Sequence, residues 1–182
     1  MTVAYHGHAV RLWPRTAARR WTGSHRPSGP ALDAGEHRLL RTSSSDGTGQ
    51  YVATERAVYR RADGNGAWLR VAWIDIARVE HSRPGELILR PWPDGGEPVR
   101  LLAGATSRLG LLAQERVGAC QVLLRRIDLG NGAGAVITAL REPGTGEIGW
   151  GVHVIGSPGH DDPATRASID HALRELRSQA GC

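Results

Sequence analysis

Ser157 and His160 lie three residues apart and are the residue types a hydrolase uses as nucleophile and base. Ser157-Pro158, however, is not the Gly-x-Ser-x-Gly elbow that exposes such a serine on a sharp turn. His6-Gly-His8 and His160-Asp161-Asp162 carry metal-ligand residue types, but a metal site needs three or four convergent ligands. We read the first pair as incidental, His160 as a loop residue and Asp162, just before Pro163, as a helix cap. Gly130-x-Gly132-x-Gly134 is superficially like a phosphate-cradling loop, in which backbone N–H groups meet an anion where a helix begins. Its spacing differs from that fingerprint, and the segment after it, Ala135 to Leu140, has strand character, so it reads as a hairpin turn. Cys120 ends an amphipathic segment and reads as a core thiol. No catalytic, cofactor-binding or metal-binding residue is assigned, and no cofactor is expected.

The 182 residues carry 23 basic side chains, all arginine, against 18 acidic ones. Arg11, Arg15, Arg19, Arg20 and Arg26 precede the first acid, Asp33, so the 18 remaining arginines balance the 18 acids and the body from Asp33 onward is neutral. The pI near 10.2 therefore describes a leading segment and not a fold. Two cysteines in no C-x-x-C arrangement indicate neither zinc nor a disulfide framework, which suits a reducing cytoplasm. Arginine without lysine, no Phe and abundant Ala and Gly suggest high-GC coding in a bacterium. No window approaches the ~20 apolar residues of a membrane span.

Residues 1–31 hold five Arg, three His and three Pro with few aliphatics, and we expect a basic disordered tail. Within it Trp13, Ala17 and Trp21 recur at helical spacing beside Arg15, Arg19 and Arg20, opposing an apolar face to a cationic one. That pattern suits an anionic surface, with Arg11, Trp13, Arg15, Arg19, Arg20, Trp21 and Arg26 as the candidate contacts.

The elements of the body follow from period-two alternation broken by turn residues every 8 to 12 positions. Strands are predicted at 38–41, 50–54, 57–61, 67–73, 76–81, 86–92 and 99–102, with a jog at Ile74-Asp75. In the fourth, Leu69, Val71 and Trp73 are expected on the buried face and Trp68 and Arg70 on the other. A helix over 105–119 would show Leu109, Leu112, Arg116 and Ala119 on one side. Three more strands, at 121–129, 135–141 and 147–155, precede a helix from Asp162-Pro163 with Ile169, Leu173 and Leu176 on one face. The expected class is α+β, mainly β.

The run Tyr51-Val-Ala-Thr-Glu-Arg-Ala-Val-Tyr59, then Leu69-Arg-Val-Ala-Trp-Ile-Asp-Ile-Ala-Arg-Val-Glu80, then Gly85-Glu-Leu-Ile-Leu89 and a closing helix, resembles small bacterial pleckstrin-homology-like domains. The resemblance covers residues 33 to about 120. It implies a curved antiparallel sandwich or barrel capped by a helix and a non-enzymatic role, with no family-wide ligand. In that setting Asp75 reads as a structural acid fixing the turn at the strand jog. We expect three parts: the tail 1–31, a pleckstrin-homology-like domain at 32–120, and a β-β-β-α appendage at 121–182 packed on it.

Six Trp and no Phe put Trp into core positions, as at Trp73 and Trp150. Trp68 and Trp92, if outward, mark a candidate interaction surface. The leading functional expectation is a non-catalytic binding or scaffolding module in the bacterial cytoplasm, its partner an unidentified protein. The alternative is peripheral association with anionic membrane at its inner face through the tail, where five arginines at ~1 kcal/mol each supply up to about 5 kcal/mol. Sequence-blind nucleic-acid binding by the tail is a further alternative, which the neutral body disfavours.

Overall fold

The computed structural model describes residues 29–62, 66–92, 96–130, 132–156 and 162–179. The candidate surface residues Arg11, Trp13, Arg15, Arg19, Arg20, Trp21 and Arg26 lie outside them, as do His6, His8, Ser157, His160, Asp161 and Cys182. The described chain is α+β and mainly β, with three antiparallel sheets and two helices. It forms two units: residues 29–120 with the loop 141–147, and residues 121–140 with 148–179.

In the first unit, β1 (Arg38–Ser43), β2 (Gly49–Thr54), β3 (Ala57–Ala62) and β4 (Leu69–Ala72) form a meander in sequence order. A second meander follows, of β5 (Ile76–Arg83), β6 (Glu86–Pro91) and β7 (Val99–Leu102). Alternation puts Tyr51, Ala53 and Val58 on the buried side of the first sheet, while Leu87, Leu89 and Leu101 are buried in the second. Fully burying one such aliphatic contributes roughly 1.5–3 kcal/mol. Polar contacts stitch the sheets together: the Leu102 N–H donates to the Tyr51 hydroxyl at 3.0 Å, and the Leu102 carbonyl accepts from the Ser45 N–H at 2.7 Å.

Trp73 is fully buried as the alternation predicts, but β4 ends one residue before it. A 3₁₀ turn over Trp73–Asp75 takes the place of the expected jog. The indole Nε1–H of Trp73 donates to the Thr54 carbonyl at 2.9 Å and its backbone N–H to the Arg56 carbonyl at 2.9 Å, tying this turn to the β2–β3 hairpin. Leu69, expected inside, is 43% exposed because β4 is the last strand of its sheet. The Arg83-Pro-Gly85 turn needs its glycine: Gly85 has φ +83°, and a Cβ there would lie 2.7 Å from the backbone of Gly104 and of Ala105.

Helix α1 (Leu109–Cys120) packs on β5 and the 3₁₀ turn. Its buried face is Leu109, Gly110, Ala113, Val117 and Cys120, not the expected Leu109, Leu112, Arg116 and Ala119. The face is rotated because a close approach selects small residues: a Cβ on Gly110 would come within 2.9 Å of the His81 ring and 3.1 Å of Leu87. Leu111 consequently stands 72% exposed.

The second unit is a three-stranded sheet in the order β10 (Ile148–Ile155), β9 (Ala133–Arg141), β8 (Gln121–Gly130), with α2 (Pro163–Gln179) on one face. Ala135, Ile137, Ala139 and Trp150 meet Ile169, Leu173 and Leu176, the helix positions expected from their spacing. Asp162 caps α2, accepting from the Thr165 N–H at 3.0 Å and the Ala164 N–H at 3.3 Å. Those bonds, with one from the Thr165 hydroxyl, hold its carboxyl below the usual range. Among the described residues no helix is long and apolar enough to cross a membrane.

Candidate functional site

The first sheet has a second face, turned away from Tyr51 and Val58, and here the polar side chains gather. Cross-strand register sets Arg41, Val52, Tyr59 and Arg70 side by side across the four strands, with Gln50 opposite Arg61. At the centre Val52, Ala57 and Tyr59 are buried beneath Leu32 and Trp68.

At one end of this face sits an anchor around Glu36, which is 6% exposed. Its carboxylate accepts from the Tyr59 hydroxyl at 2.7 Å, from the Asp33 N–H at 3.0 Å and from the Thr54 hydroxyl. Burial pushes this carboxyl up, but the hydrogen bonds from Thr54, Asp33 and Tyr59, together with the charge of Arg70, outweigh it and hold the group below its ordinary value. The Tyr59 hydroxyl is driven well above its ordinary value by burial and by its bond to Glu36. Arg70 completes the set, with its Nε 3.3 Å from the Tyr59 oxygen and an Nη 3.6 Å from Asp33. Thr54 also accepts from the N–H groups of Arg56 and Ala57 at 3.2 and 3.0 Å, so one hydroxyl shapes the hairpin and holds the anchor. An ionised acid surrounded by donors is poorly suited to accept a further proton, and the arrangement reads as a clasp for residues 33–37.

At the other end lies a cationic group. The Gln50 side-chain oxygen accepts from Arg61 at 2.9 Å and from Arg41 at 3.3 Å. The Arg61 guanidinium stands 4.9 Å from the centre of the Trp68 ring, in cation–π contact. Trp68 is half-buried, and its indole Nε1–H and the Nε–H of Arg61 are both buried without a hydrogen-bond partner among the described residues. Arg41 and Arg61 are in none of the ion pairs found among the described residues.

The other residues singled out by sequence separate from this face. Trp92, also half-buried, follows β6 in the second sheet, where its backbone N–H donates to the Asp75 carbonyl at 2.9 Å. Cys120 is 2% exposed, and its thiol is pushed up to about 11 by burial, with the charge of Glu142 adding to the effect. Glu142 itself is raised by burial, against the pull of Arg70 and Arg56. Gly130 and Gly132, both at positive φ, belong to the β8–β9 hairpin, the reading made for the glycine run. Among the described residues no group of three or more His, Cys, Asp or Glu is placed to hold a metal.

Sequence reasoning singled out Trp68 but missed Arg41, Gln50 and Arg61 as its neighbours. A usable signal existed for two of them: a hairpin turning at Glu55-Arg56 sets Gln50 opposite Arg61. Arg41 and Glu36 carried none, since β1 pairs through a bulge and Glu36 bonds to partners 18 and 23 residues away. No family model, no curated protein and no solved structure matches the chain.

Proposed function

We propose that this chain is a non-catalytic binding module on a pleckstrin-homology-like frame, working in the bacterial cytoplasm and recognising its partner through the outward face of its first sheet around Trp68. The observation that carries the reading is the convergence of Arg41 and Arg61 on Gln50 beside a half-buried tryptophan whose N–H has no partner among the described residues. An aromatic residue and arginines on a rigid strand frame are the side chains that dominate recognition energetics, because they bury large area and bond directionally at little conformational cost. The order of seven strands and a helix supports the frame. Two of the chemistry-bearing residues that are described have other roles: Cys120 is buried with a raised thiol, and Asp162 caps α2.

Affinity capture from cells that express the protein natively tests this, with wild type, Trp68→Ala and Arg61→Ala as baits matched for folding by thermal melting. The reading expects one bound species retained by wild type and depleted with both variants. Equal retention by all three would remove the surface from the account. A turnover abolished by one side-chain change in a folded protein would overturn the non-catalytic role.

A further inference from the structure

Leu32 precedes the first strand, yet it packs on the first sheet. With Trp68 it lies over Val52, Ala57 and Tyr59, which are buried beneath the two. The segment that carries Leu32 is held unevenly along its length. Its rear is fixed: the Glu36 carboxylate accepts from the Tyr59 hydroxyl at 2.7 Å and from the Thr54 hydroxyl, and the His37 N–H donates to both carboxylate oxygens of Glu55 at 2.8 and 2.9 Å. Its front has two weaker holds, the half-buried Leu32 side chain and the Asp33–Arg70 ion pair at 3.6 Å, whose acid is 57% exposed. A pair so open to water adds little, so the Leu32 contact is the stronger of the two. Ala31 and Ala34 are exposed on either side. Gly35, at φ +74° with nothing within 4 Å of a Cβ, turns the chain between front and rear.

We propose that residues 31–34 are a displaceable cover over the partner site and that Leu32 is its plug, standing where a partner segment places an aliphatic side chain followed by an acid. The inference rests on reading this sheet face as a recognition surface, and names the chemistry of the partner and the control of access to it. The chain's own segment is the template: the hollow over Val52, Ala57 and Tyr59 takes a leucine, and Arg70 takes the carboxylate next to it. Trp68 borders the same hollow, so a side chain entering it meets an aromatic wall. Because Leu32 is tethered beside the hollow, it competes at a high effective concentration. A partner in solution reaches only the open fraction of molecules, and its apparent affinity is the intrinsic one reduced by that fraction. Loosening the plug therefore strengthens binding in trans.

The probe is the peptide acetyl-Pro-Ala-Leu-Asp-Ala-amide, a copy of residues 30–34. It is titrated into the full chain while the Trp68 indole N–H is followed in a ¹⁵N-correlated NMR spectrum, the signal being identified by its loss in Trp68→Phe. Leu32→Ala, with its fold checked by urea unfolding, should give a saturable shift and bind the peptide about tenfold more tightly than wild type, since truncation removes most of the contact that closes the cover. Should Leu32→Ala lose its fold, Leu32→Val carries the same comparison with a smaller gain. The peptide with its leucine replaced by serine should bind none of these proteins. Equal affinity in wild type and the Leu32 variant, no binding to the variant, or a serine peptide as effective as the leucine one would overturn the proposal. A Leu32 variant that turns dimeric in sedimentation would assign the hollow to a second copy of the chain and overturn the partner assignment. If the peptide results fail while Trp68→Ala still depletes the captured species, the cover falls and the recognition surface stands.

Discussion

Tyr59 donates its hydroxyl proton to Glu36 across 2.7 Å, joining residues 23 positions apart and closing the entry segment onto β3. With Thr54 and the Asp33 N–H as further donors, the bond holds an ionised acid in a buried site. A carboxyl held below its ordinary value contributes stability that is complete above 4.5 and lost as the pH falls through its native value, since the unfolded chain binds the proton first. Glu36→Gln should cost about 2–3 kcal/mol at pH 7, because two buried hydroxyls lose a charged acceptor. It should also flatten the decline in stability between pH 5 and 3, as read by urea unfolding. Parallel curves for variant and wild type would exclude Glu36 as a source of the acid sensitivity.

Gln50→Glu converts the shared acceptor of Arg41 and Arg61 into a carboxylate of the same shape. Two charge-assisted bonds at a partly exposed site should raise stability by about 0.5–1.5 kcal/mol. The same charge neutralises part of the cationic group beside Trp68, so capture of the partner should weaken as stability rises. A variant that is more stable and captures the partner as wild type does would separate the two roles and count against the surface.

Gly85→Ala tests the turn between β5 and β6. An alanine at φ +83° is strained, and its Cβ would meet the backbone of Gly104 and Ala105, which cannot swing aside as a long side chain can. The expected loss is about 2–4 kcal/mol by denaturant titration, whereas Gly118→Ala inside α1, where a Cβ meets nothing within 4 Å, should gain about 0.5–1 kcal/mol from helix propensity. An unchanged stability in Gly85→Ala would show that neither the positive φ nor the close approach restricts this turn.

Cys120 should behave as an inert core thiol. Its burial and a value near 11 leave little thiolate at pH 8, so with the second thiol removed by Cys182→Ser the native protein should react with a thiol reagent only as fast as it unfolds. Cys120→Ser should cost about 1–3 kcal/mol by placing a hydroxyl in the core. Fast labelling without denaturant would show that α1 exposes this position.

The strands were legible because each carries a period of two and is closed by glycine, proline or asparagine, and α2 because Ile169, Leu173 and Leu176 repeat at helical spacing behind an acidic cap. The orientation of α1 was not legible: apolar residues surround it, and the buried side was decided by how near Gly110 comes to His81 and Leu87. The polar face was half legible. Trp68 was visible as an aromatic residue on the far side of β4, but the clasp at Glu36 and the convergence on Gln50 depend on register and on a bulge in β1. A pattern of residue types does not encode those distances.

Recognition at Arg41, Arg61 and Trp68 can be read by photo-crosslinking in living cells. A photoreactive residue placed at Arg41 should yield one discrete adduct that disappears when Trp68 is also replaced by alanine, while the same residue at the exposed Leu111 of α1 yields none. Adducts at Leu111 and none at Arg41, or an Arg41 adduct indifferent to Trp68, would contradict the account.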